Sequence, residues 1–306
     1  MLHASFASLN VRLYRRRWWL AALLIAVALY GGVVALHCDD RLRWSIREWQ
    51  TPAAARANAV WLPDYRVEID AKPLPGITDD EASDLAYDPL SKTLYSVMGR
   101  RPALVQLTLD GEVLRKIALN GWSNPEGVAV LEGGRIAITD ERKQSLTIVT
   151  APAGATELNI DDFPQFALGN AEEKNKGAEA VAWDPRHRRV LFGQERPAEL
   201  SSWSSDGHTL LGQPSRLGQD VLDLRNLAAM SIDPRTGHVV LLSADSHLLV
   251  ELDDNERPLS YIALLAHFNG LGATIPRAEG VALDEQGTLY VVSEPNLFYR
   301  FKKTLK

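Results

Sequence analysis

Residues 278–296 read AEGVALDEQGTLYVVSEPN: a glutamate, a small residue, an apolar strand, a turn, a second apolar strand and a second glutamate. The pattern returns upstream. Residues 125–141 read PEGVAVLEGGRIAITDE and residues 178–195 read AEAVAWDPRHRRVLFGQE. Weaker copies are AAMSIDPRTGHVVLLSAD at 228–245 and ASDLAYDPLSKTLYSVMG at 82–99. Anchored on Glu279, the glutamate column runs back through Ala228, Glu179, Glu126 and Ser83, so neighbours are 51, 49, 53 and 43 residues apart. A period of roughly 40–50 residues with several short strands per unit is the signature of a β-propeller, one blade per repeat. Five repeats predict a five-bladed ring, with six blades as the alternative.

The first copy shows what a whole repeat contains. Two further apolar runs, Ala103 to Leu109 and Val113 to Leu119, follow its inner pair across an Asp110-Gly111 turn, a strong hairpin signal. The last copy is one strand short, since only residues 297–302 (LFYRFK) remain after Glu294. An alternating stretch, YRVEID at 65–70, precedes the first copy. It is expected to complete the last blade and close the ring, leaving no free sheet edge. Asp88-Pro89, Asp184-Pro185 and Asp233-Pro234 recur between first and second strands and read as turns with structural aspartates. Residues 151–176 are longer than their counterparts and are expected to form a loop over one face.

Trp18 to Leu36 is nineteen residues without a charge, just long enough to cross a bilayer as a helix. Arg12, Arg15, Arg16 and Arg17 precede it, and Asp39 and Asp40 follow. The positive-inside rule then leaves residues 1–17 in the cytoplasm and exports the rest. A cleaved signal peptide is the competing reading. The predicted organisation is a basic N-terminus at 1–17, a signal-anchor helix at 18–36, a juxtamembrane linker at 37–62 and a propeller at 63–306. In the linker Leu42, Trp44, Ile46 and Trp49 either lie on the membrane surface or belong to an ordinary spacer. The expected location is the inner membrane, single-pass, with the C-terminal domain periplasmic. A net charge of −6 argues against nucleic acid, and the single cysteine, Cys38, excludes an internal disulfide framework and a CxxC metal site.

A charged signal-anchor followed by repeats such as Asn124-Pro125-Glu126-Gly127-Val128-Ala129 and Ala278-Glu279-Gly280-Val281-Ala282 resembles the SdiA-regulated family of bacterial propeller proteins, close to NHL-type repeats. The resemblance covers roughly residues 63–306. It implies a five-bladed ring at the bacterial inner membrane and Ca2+ in the propeller. The family's name records how a gene is controlled and implies no chemistry. A looser similarity runs to calcium-dependent lactonases and phosphotriesterases, but no motif here matches their catalytic residues one by one.

The first strand of a blade lies nearest the axis, so Glu126, Glu179 and Glu279 should converge on the channel. A second set, Glu141, Glu195, Asp245 and Glu294, closes the second strands. Carboxylates gathered round one axis repel unless they bind a cation, pair with bases or take up protons. Hard oxygen donors suit Ca2+ better than zinc, for which no cysteine or histidine cluster exists. Hydrogen bonding of each glutamate to a neighbouring blade's backbone, or plain salt bridging, would satisfy the same residues. Arg100, Arg142 and Arg196 follow second strands, while Lys176, Arg225 and Arg277 precede the glutamate column. Such a mixture suits an anionic small molecule, or it neutralises the glutamates. The histidines, His187, His208, His238, His247 and His267, show no paired spacing and read as structural. Catalytic residues are not identifiable: no Gly-x-Ser-x-Gly elbow, Walker loop or dinucleotide fingerprint is present. The expectation is a binding or scaffold module for an anionic ligand or an envelope protein. A Ca2+-dependent hydrolase of a lactone or phosphoester is the alternative.

Overall fold

The structure, a computed structural model, describes residues 3–35, 38–77, 80–168, 178–217 and 222–304, with the side chains of 3–16 and 35 excepted. Two compact units result, Met1–Ser45 and Ile46–Lys306. In the first, helix α1 (His3–Ala35) contains Arg17–Val34, a segment apolar and long enough to cross a membrane. Most of its described side chains are exposed. Helix α2 (Cys38–Gln50) occupies the first part of the expected linker. Trp44 on it is buried, while Leu42, Ile46 and Trp49 stay exposed. A short helix α3 (Ala53–Ala57) follows the Thr51-Pro52 turn.

The second unit holds five sheets in a ring. The first blade is β2 (Ala82–Asp88), β3 (Thr93–Met98), β4 (Ala103–Leu107) and β5 (Val113–Asn120), in that order. The second is β6 (Pro125–Val130), β7 (Ile136–Asp140), β8 (Ser145–Val149) and, outermost, β10 (Gln165–Ala167). Between these last two, β9 (Glu157–Asn159) leaves the blade and pairs in parallel with β5. The third blade is β11 (Ala178–Asp184), β12 (Arg189–Gln194), β13 (Glu199–Ser204) and β14 (Ser215–Leu217). The fourth is β15 (Ala229–Ile232), β16 (Val239–Ser243), β17 (Leu248–Leu252) and β18 (Pro258–Ala263). The fifth combines β19 (Ala278–Leu283), β20 (Leu289–Ser293) and β21 (Leu297–Lys303) with the early strand β1 (Tyr65–Pro73). The ring has five blades, not six.

Closure follows the expected route. Strand β1 runs antiparallel to β21, from Tyr65 opposite Lys303 to Pro73 opposite Leu297. The junction is reinforced from inside. The fully buried Glu251 accepts the backbone N–H groups of Val60 (2.7 Å) and Trp61 (3.0 Å), the Ser260 hydroxyl and His238 Nδ1. Tyr65 donates its hydroxyl to the carbonyl of Gly287 at 2.8 Å. The expected loop at 151–176 is overturned as far as it is described. Its chain is spent on β9 and β10, because a fourth strand covers the open edge of β8. Residues 169–177 lie outside the described set.

Inner strands β2, β6, β11, β15 and β19 touch in sequence, and β19 returns to β2. Hydrophobic clusters fill the spaces between blades, for example Leu85, Met98, Tyr290, Val292 and Phe298 between the first and fifth. The turns between first and second strands, Asp-Pro at 184–185 and 233–234 and Asp-Glu at 284–285, are held by their aspartates. Asp184 accepts the backbone N–H groups of Arg186 and His187, and Asp233 and Asp284 do the same for Arg235 and Gln286.

Candidate functional site: the acidic end of the axial channel

Each glutamate of the column sits at a break in its ladder. Pro125 pairs with Asp140 and Gly127 with Thr139, so Glu126 is the extra residue of a β-bulge. Glu179, between Ala178 and Ala180, and Glu279, between Ala278 and Gly280, repeat the geometry. Ser83 occupies the same bulge in the first blade. A bulge re-aims the side chain it leaves unpaired, so the repeat itself turns these positions away from the ladder. The following glycine is a packing requirement. A Cβ on Gly127 would lie 2.4 Å from the carbonyl oxygen of Glu179, and one on Gly280 would lie 2.7 Å from the backbone of Asp84. Glu-Gly thus encodes a bulge followed by close approach of the next inner strand.

The three glutamates share one electrostatic field. Burial first, and then the charges of Glu195, Glu126, Glu141 and Glu279, push Glu179 up to about 9. Burial carries Glu279 to about 8; Arg277 opposes this, while Glu294, Glu126 and Glu195 add to it. Glu126 is pushed to about 7, again by burial first; the Ser83 hydroxyl and Asn124 amide hold it down, while Glu141 and Glu294 raise it. Asn124 donates to Glu126 at 2.5 Å and to Glu141 at 3.0 Å. These residues of blades 2, 3 and 5, far apart in sequence, occupy equivalent bulges at the starts of inner strands that touch in sequence, and so lie at one end of the ring.

Three of the second set, Glu195, Asp245 and Glu294, are paired with arginines, while Glu141 accepts the Asn124 amide. Arg277 pairs with Glu294 at 2.7 Å, and its Nε is 3.6 Å from Glu279. Arg196 bridges Glu195 and Asp245, the latter at 2.5 Å. Asn226 donates to Glu195 at 3.3 Å. Arg100 is exposed and paired with Glu81 at 3.1 Å, and Arg142 is exposed. Arg225 is half-buried and gives its backbone N–H to Ser246. Lys176 lies outside the described residues.

Sequence reasoning passed over Asp84. It stands one residue after the bulge, where other blades carry Gly127, Ala180, Ala229 and Gly280. It is fully buried and accepts Val128 N–H of the next blade at 2.9 Å and its neighbour Leu85 N–H at 2.7 Å. Burial still drives its pKa well above the carboxylate range, with Glu126 and Glu279 adding to the rise. The inter-blade backbone bond expected of the glutamates is thus made by Asp84. The signal was available: an acid in a column of small residues.

The donor set is oxygen only, which fits a hard cation such as Ca2+. Among the described residues no three Asp, Glu, His or Cys side chains are grouped closely enough to enclose an ion. A cation here would therefore be held by one or two carboxylates, leaving coordination positions open.

Comparison with known structures returns many matches. A catalytically inactive virginiamycin B lyase from Staphylococcus aureus, crystallised with quinupristin, is 12% identical; the match covers 74% of this chain and 66% of that chain, with a TM-score of 0.42. A chain of a nidogen/laminin complex is 17% identical over 75% of this chain and 84% of that one, with a TM-score of 0.47. At such identities the likeness concerns the fold alone. The family model for SdiA-regulated proteins matches residues 57–302, which is the whole ring, and the chain belongs to that family.

Proposed function

We propose that this protein is a single-pass inner-membrane protein whose propeller, on the periplasmic side, is a ligand-binding or scaffold module with Ca2+ at the acidic end of its channel. One observation carries the reading: three mostly buried glutamates from separate blades occupy the same bulge, and neighbouring carboxylates add to the rise that burial gives each of their pKa values. A purely structural ring would gain by losing such groups. Ca2+ takes six to eight oxygens, and this site offers few at once, so water or a ligand would supply the remainder. The guanidinium groups of Arg100, Arg142, Arg196 and Arg277 at the same end favour an anionic small molecule or an acidic surface on an envelope protein. The anchor and its orientation rest on the apolar segment in α1 and the arginines before it.

The test is thermal melting of the full chain in detergent with Ca2+ or chelator. A bound cation adds RT ln(1 + [L]/Kd), about 2.7 kcal/mol at a hundredfold excess over Kd. Glu126→Gln and Glu279→Gln should each lose most of that gain. A melting temperature indifferent to Ca2+ in the wild type would overturn the cation reading. A second reading draws on Glu126, whose pKa near 7 suits proton transfer at neutral pH. Turnover of a phosphoester or lactone, lost in Glu126→Gln, would replace the binding module with a hydrolase.

A further inference from the structure

The inner strands enclose a second space on the same axis, beyond the glutamates. Trp183 stands four positions after Glu179, about 13 Å along the strand at a rise of ~3.3 Å. The cavity there has a volume of about 160 Å³. Every blade contributes a wall: Tyr87, Val130, Trp183, Ile232 and Leu283 come one from each. It is a well, not a face, because five blades surround it and the Asp-Pro turns frame its mouth.

Its polar content is small. The Ser231 hydroxyl accepts the N–H of Leu283 at 3.2 Å, which leaves its own proton to donate. Tyr87 gives its hydroxyl to Glu285 at 3.3 Å, and Lys92 pairs with the same carboxylate. An ordered water needs two to four polar partners, whereas an apolar cavity of about 150 Å³ stays dry and takes benzene. The well has a similar volume but is open at its mouth, and the tyrosine and tryptophan rings in its walls suit offset or edge-on stacking of an aromatic guest.

We propose that this axial well binds a neutral aromatic molecule of one or two rings, with one acceptor atom turned to the Ser231 hydroxyl. This site is independent of the acidic end and of any cation held there.

Calorimetric titration of the full chain in detergent with quinoline tests it. Saturable one-to-one binding is expected, with a Kd on the order of 0.1–1 mM for a fragment of this size. Chelator and Glu126→Gln should leave it unchanged. Ile232→Trp fills the well and should weaken binding more than tenfold; it also reports uptake by detergent alone. Val130→Trp does the same from the next wall but one, should Ile232→Trp melt early. Crystals soaked in bromoquinoline give a readout that needs no variant, with the bromine expected between Tyr87 and Trp183. No saturable binding below about 10 mM, equal binding by the filled variants, or bromine elsewhere on the molecule would each overturn the proposal.

Discussion

The two ends of the channel are built from the same five strands, yet they have opposite chemistry. At the strand starts, bulges turn Glu126, Glu179 and Glu279 out of the ladder into a shared field. Farther along, regular pairing resumes and the same strands present Tyr87, Val130, Trp183 and Ile232. One end holds carboxyl groups whose ionisation destabilises the ring until something compensates it. The other holds apolar surface that gains from being covered. The lesson is that one irregular residue, present in four of the five repeats, and not a different strand, separates an acidic site from an apolar one.

The comparison presupposes a closed ring, so opening the ring should abolish both ends together. Deleting Met1 to Asp70 removes most of β1, the Tyr65 hydroxyl and the two backbone partners of Glu251, leaving that buried carboxylate with only Ser260 and His238 among its described partners. The expected outcome is failure to fold, read as loss of the cooperative thermal transition. Deleting Met1 to Trp49 spares these contacts and should preserve the transition. Equal stability of the two truncations would refute closure by β1.

Moving an acid from one end to the other is the next largest test. Val181 is almost fully buried beside the well, with no base to meet a carboxylate. Val181→Asp should cost about 3–5 kcal/mol in urea melts at neutral pH, the usual penalty for an uncompensated buried charge. A loss below about 1 kcal/mol would mean that the well is wet, and the contrast between the ends would dissolve.

Much of this arrangement was legible in the sequence, and the limits have physical causes. The period, the missing last strand and the orphan YRVEID fixed the blades and their closure, because each blade must be a complete sheet. The glutamate column pointed to the axis because the recurrence is one residue per repeat. The bulge was not legible, since it is a property of two strands in register, although Glu-Gly is its trace. Strand β9 was missed because a three-residue edge strand carries no periodic signal. The well was missed because its walls are ordinary core residues in their own blades, and only the ring makes them face one space.

At the acidic end the corresponding substitution should stabilise. Glu179 has an ordinary value of 4.5 and is carried to about 9 in the fold. Below about pH 4.5 the carboxyl is protonated whether the chain is folded or not, so it costs nothing. Between 4.5 and 9 the unfolded chain releases the proton while the folded one keeps it, so stability falls as pH rises. Above 9 that loss is complete. Glu179→Gln should therefore be neutral at pH 4 and stabilising by on the order of 2 kcal/mol at pH 8, in chelator. Destabilisation at pH 8 would show that Glu179 holds a structural bond, and would remove the repulsion from which the site was inferred.

The smallest effect belongs to the rim. Arg277 is 72% exposed and contacts both Glu294 and Glu279. An exposed pair is worth less than about 1 kcal/mol, so Arg277→Gln should barely move the urea midpoint at pH 6. Its influence is on the charge that Glu279 bears. Arg277 is what holds Glu279 down against burial and its acidic neighbours. Without it, Glu279 should rise above about 8, and the loss of stability between pH 5 and pH 8 should steepen. A cation at the site would meet one positive charge fewer, so Ca2+ should bind a few-fold more tightly. An anionic ligand would lose a partner and bind more weakly. Opposite signs for the two ligands in one variant are what a mixed rim around an acidic centre requires. If both affinities fall together, Arg277 shapes the site structurally, and the division between a charged centre and a neutralising rim does not hold.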